Sequence, residues 1–157
     1  MAALAASLAI PAVAANGATS ANGTTITIGA PITLSARVLV TVPVTVSCSP
    51  TFITTLSSEQ VTVSIQQASS RGVAGGIGTL FYSSGFSGPE PLFPCDGANH
   101  TLFVAVTPPN NGVALPFHNG PAIASANVQV FGFTPTFNSV SDQVTEGPDT
   151  VRLASSR

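Results

Sequence analysis

From Arg37 to Cys48 the chain alternates without a break. The even positions are Val38, Val40, Val42, Val44, Val46 and Cys48, and the odd positions are Arg37, Leu39, Thr41, Pro43, Thr45 and Ser47. A helix would spread the even set around its whole circumference, whereas a strand puts it on one face. The valines are therefore buried only if this segment lies in a sheet. The same period returns in Val61, Val63 and Ile65, in Leu102, Val104 and Val106, and in Ala122, Ala124, Ala126, Val128 and Val130. Shorter candidates are 24–28, 31–34, 77–82 and 150–153. Turn chemistry separates them at Ser70-Arg71-Gly72, Cys95-Asp96-Gly97 and Pro108-Pro109-Asn110-Asn111-Gly112. Seven or eight short strands, each with one apolar face, predict an all-β antiparallel sandwich. Pro43 lacks the N–H that a central strand needs, so a bend, a bulge or an edge is expected there.

Composition narrows the function. Six acids and four arginines (Arg37, Arg71, Arg152 and Arg157) give a net charge of −2. No basic stripe exists to neutralise phosphates, and nucleic acid is not an expected partner. The high apolar content, 44% of residues, argues for a packed core rather than disorder. Residues 1–14 read as the remnant of a secretory signal peptide, with a small-x-small site at Ala12-Val13-Ala14. Residues 15–23 then form a flexible spacer, and one domain spans 24–157. No later stretch is apolar for long enough to span a membrane as a helix. The expected location is extracellular, secreted or associated with the cell surface.

Cys48 and Cys95 form an even pair in a chain read as exported, and are taken as one disulfide, with two buried thiols as the alternative. Other constellations are weak. Asp96 and His100 could form an acid–imidazole pair, but no Gly-x-Ser-x-Gly elbow is present, and the turn beside Cys95 is the simpler reading. Asp142, Glu146 and Asp149 gather within eight residues; they lack the spacing of a calcium loop and are expected in a solvated loop before the last strand. His118 reads as a polar loop residue. No catalytic, cofactor or metal residue is assigned. Asn22 and Asn99 head glycosylation sequons.

The segments Val46-Ser47-Cys48-Ser49-Pro50, Val61 to Gln67, Cys95-Asp96-Gly97-Ala98-Asn99-His100, Val104 to Pro108 and Gly120 to Ala126 resemble small secreted immunoglobulin-like β-sandwich proteins of high-GC Gram-positive bacteria. The resemblance implies an immunoglobulin-like fold and an export route, and no activity. The function expected is a non-enzymatic binding or structural module meeting an extracellular protein or a cell-wall glycan. A second reading is a protease-inhibitor-like binder presenting loop 83–94, with Phe86, Leu92 and Phe93 as its contact side chains. A hydrolase ranks last.

Overall fold

The computed structural model describes residues 17–53, 55–84, 90–110 and 114–156. Within them the chain is all-β, with nine strands: β1 (Ala18–Thr19), β2 (Thr25–Ile28), β3 (Ile32–Ser35), β4 (Leu39–Ser47), β5 (Thr55–Ser69), β6 (Gly72–Ser83), β7 (His100–Val106), β8 (Gly120–Phe133) and β9 (Ser139–Ser155). The hydrogen-bonded order is β1-β2-β4-β3-β9-β8-β5-β6, and β7 pairs with the remaining edge of β4. All neighbours are antiparallel except β3 and β9. The signal segment lies outside the described residues. The segment expected as a spacer carries β1, whose Ala18 and Thr19 pair with Ile26 and Thr25, so the ordered domain includes residues before position 24.

Alternation decides which side chains form the core. Val40, Val42, Val44 and Val46 of β4 are fully buried, together with Val104 and Val106 of β7, Val61, Val63 and Ile65 of β5, and Ala124 and Val128 of β8. They belong to one apolar cluster. Burial of this kind, at roughly 25 cal/mol per Å² of apolar surface, is the main favourable contribution to folding.

Pro43 sits in the middle of a central strand, and the chain breaks opposite it instead. Pairing of β4 with β2 ends at Val44, pairing with β3 begins at Thr41, and Gly29, in the gap, donates its N–H to the Pro43 carbonyl at 2.8 Å. The missing donor of Pro43 thus falls where β2 gives way to β3. On its other side Pro43 stands opposite Phe103 of β7.

Two glycines let strands approach further than side chains permit. A Cβ on Gly78 would overlap the Ala105 carbonyl, and one on Gly76 the Thr107 carbonyl, so β7 lies backbone to backbone on β6. An isolated bridge between Ile77 and Thr107 marks the same contact. The expected disulfide is present, joining Cys48 at the end of β4 to Cys95 before β7 with 4.8 Å between Cα atoms. The turn beside it follows the sequence reading: Asp96 accepts the Ala98 N–H at 2.8 Å, and Gly97, at φ 80°, donates to the Cys48 carbonyl at 3.0 Å.

Candidate functional site

Strands β6, β5, β8 and β9 are long and paired in close register, so their outward side chains line up in rows across the sheet. One row runs Phe81, Gln60, Gln129, Gln143. On one side of it lies Ser83, Ser58, Phe131, Ser141, and on the other Thr79, Thr62, Asn127, Thr145. The next row begins Ile77, Ser64, Ser125. None of these side chains carries a charge. The first charge along the face is Arg152, opposite Pro121, beyond the Ile123–Thr150 pair.

The first row and Ser58, Phe131 and Ser141 of the second, with Glu59, Val130 and Asp142 between them, line an open groove of about 410 Å³, within the size range of small-ligand sites. Phe81 is 62% exposed and Phe131 38%. Phe131 is held edge-to-face against Phe133, with ring centroids 5.9 Å apart. The hydrogen-bonding groups divide into two kinds. Asn127 is satisfied inside the sheet, donating to Thr145 Oγ1 at 2.8 Å and to the Val144 carbonyl at 3.2 Å. The Gln129 and Gln143 carboxamides have no side-chain hydrogen bond among the described residues, and Gln60 donates only a long bond to Thr62, at 3.3 Å. The free amides of Gln129 and Gln143 thus share this face with two exposed rings, Phe81 and Phe131.

Directly behind the groove, facing inward, are buried acids. Glu59, Val130 and Asp142 form a cross-strand row of their own. Glu59 is 1% exposed and accepts the Leu92 N–H at 2.6 Å through Oε2, while Oε1 has no partner. Burial pushes its pKa up to about 7, against the opposing pull of the Leu92 and Phe93 amides and of His100. Glu146, 2% exposed, accepts the Ile28 N–H at 2.5 Å and is likewise pushed up to about 7 by burial and by the charge of Asp149. Asp142 goes the other way. Burial raises its pKa, but hydrogen bonds from Ser20, Asn22 and the Gln143 amide outweigh that and hold it below the usual carboxylate range. Each acid fastens a segment from elsewhere in the chain to this sheet: the loop before Cys95, the end of β2, and the N-terminal arm.

These positions correct the sequence reading. Asp142 and Glu146 lie within β9 with their side chains turned inward, and Asp149 is half-buried in the same strand, so the segment is not a solvated loop. Its acids are spread along the strand, and no group of three potential metal ligands occurs among the described residues. Phe93 is 1% exposed and Leu92 is half-buried against the core, so these two side chains close one end of the core instead of presenting a contact surface. Phe86 lies outside the described residues. Asn22 and Asn99 are both exposed.

The Asp96 and His100 pair exists, with Oδ1 and Nε2 2.9 Å apart, and its hydrogen bond and that from Ala98 hold the Asp96 carboxyl below its usual range. Among the described residues no hydroxyl or thiol hydrogen-bonds to the His100 ring. His118 is a positioning loop residue, its two ring nitrogens each 3.1 Å from a carbonyl, of Asn119 and of Ala68. The buried Gln67 amide binds the His118 backbone N–H and carbonyl. No described helix is long and apolar enough to cross a membrane. No family model, curated protein or solved structure matches this chain.

Proposed function

We propose that the protein is an exported, non-enzymatic binding module, and that its ligand contacts the outer face of β6, β5, β8 and β9. One observation carries this reading: three adjacent rows of side chains without a charge, in which Gln129 and Gln143 are unbonded and Phe81 stands in solvent. Polar groups that satisfy nothing within the fold, set beside exposed apolar rings, are suited to a partner outside it. The disulfide supports an oxidising compartment. The immunoglobulin-like arrangement and the kinship with secreted proteins of Gram-positive bacteria belong to the same proposal. They are supported by the passage of the chain from β2, paired with β4, into β3, which pairs with β4 and in parallel with β9, and by the disulfide that ties the end of β4 to the segment before β7.

The test is capture. Immobilised wild-type protein and a Phe81→Ser/Gln129→Ala double variant are exposed to extracellular proteins and to cell-wall material. The reading expects a component retained by the wild type and lost with the variant. Retention of nothing, or of the same set by both, refutes it.

A further inference from the structure

We infer that the groove of this face takes an uncharged polysaccharide chain, laid across the strands along the Phe81, Gln60, Gln129, Gln143 row. This rests on the binding-module reading and deepens it. Adjacent strands lie about 4.8 Å apart, so the three glutamines repeat at that interval and the row with Phe81 extends over roughly 14 Å. An extended glycan repeats at a comparable interval, one sugar ring per strand. A carboxamide offers a donor and an acceptor together, which matches a hydroxyl able to do both. The two rings then supply the apolar surface. Phe81 stands at one end of the row, and Phe131 flanks it from the neighbouring row. C–H-rich faces of a sugar ring pack on such rings.

Charge excludes the competing polymers. A polyanion would need arginine or lysine opposite its carboxylates or sulfates. The groove has none, and Arg152 lies beyond the far end of the face. A polycation would need exposed acids; Glu59 and Asp142 do line the groove, but both are buried and each accepts a hydrogen bond on the inner side, Glu59 from the Leu92 amide and Asp142 from Ser20. A protein partner would be expected to use the apolar residues Val73 and Ile77 further along β6, and these lie outside the groove.

The experiment is affinity electrophoresis of the oxidised protein through gels containing hydroxyethylcellulose, a galactomannan or dextran, with polygalacturonate as the charged comparison. The inference expects retardation by at least one neutral polymer, unchanged on adding salt. Gln129→Ala/Gln143→Ala and Phe81→Ser should each weaken it about tenfold, the equivalent of one or two hydrogen bonds or one ring contact. All three side chains are exposed, so the variants should melt with the wild type, and that is checked alongside. Three outcomes overturn the inference: no retardation by any neutral polymer, retardation confined to polygalacturonate and abolished by salt, or neutral retardation that the variants retain. In the first case, a protein captured by the wild type and lost by the Phe81→Ser/Gln129→Ala variant would still uphold the wider reading.

Discussion

Replacing Glu59 by Gln isolates what a buried, half-satisfied carboxyl does to this fold. In the folded chain Glu59 titrates at about 7, against an ordinary 4.5. The folded state therefore holds a proton that the unfolded state has already released between those two values. The sign follows from that difference: stability is complete below pH 4.5, falls as pH rises, and reaches its lower plateau above 7. At 1.36 kcal/mol per pH unit the loss amounts to about 3 kcal/mol for this one group, or roughly 10 °C in melting temperature for a domain of this size. In Glu59→Gln the amide oxygen can still accept the Leu92 N–H, and nothing ionises. The variant should match the wild type at pH 4 within about 1 kcal/mol and exceed it by about 3 at pH 8. The chain has no tryptophan, so calorimetry or urea unfolding followed by circular dichroism, with the disulfide intact, is the suitable assay. The reasoning fails if the two proteins show the same pH dependence, or if Glu59→Gln is the less stable at pH 8.

Asp142→Asn should act in the opposite direction. The carboxylate is stabilised by Ser20 and its neighbours, so its contribution is present above the usual 3.8 and lost as pH falls through its lowered pKa. At neutral pH the variant should lose about 1–3 kcal/mol, with hydrogen exchange speeding up first in β1 and β2. Gly78→Ala places a methyl against the Ala105 backbone, which cannot rotate away, and should cost about 3 kcal/mol in urea unfolding. Gly75→Ala, whose nearest atom is at 3.6 Å, should change stability by no more than about 0.5 kcal/mol. Equal effects at the two glycines would show that β6 and β7 do not touch as described. Reducing the Cys48–Cys95 bridge, which spans 47 residues, should lower stability by about 4 kcal/mol on the chain-entropy model.

Valine-rich strands were legible because their inward positions speak for themselves. In β4, β5, β7 and β8 the period of two is carried by Val, Ile and Ala. Only the end of β9, at 150–153, was legible; its longer first part escaped notice because the inward parity there is occupied by Asp142, Val144 and Glu146, and acids there read as solvent-facing. What buries them is distant: Ser20 is 122 residues from Asp142, and Ile28 is 118 from Glu146. Glu59 gave a usable signal, since it shares the parity of Val61, Val63 and Ile65, but a carboxylate at the head of an apolar face reads as the strand's end. The outward polarity of Gln60 and Gln129 was visible, whereas their alignment with Gln143 was not. That alignment depends on register, and a slip of one residue would carry every side chain to the other face.

The placement of β3 has a mechanical consequence. It pairs antiparallel with β4 along one side and parallel with β9 along the other, through Ile32–Leu153, Thr33–Ala154 and Leu34–Ser155, and Ser156 adds a bond to the Leu34 carbonyl. Tension applied between the start of β3 and the end of β9 would pull these parallel neighbours past one another lengthwise. Their hydrogen bonds would then bear load together, as in shear, and could not be peeled open one at a time. Resistance to force is governed by the unfolding barrier and not by net stability, so a domain of modest thermodynamic stability can still act as a stiff link in a chain under tension.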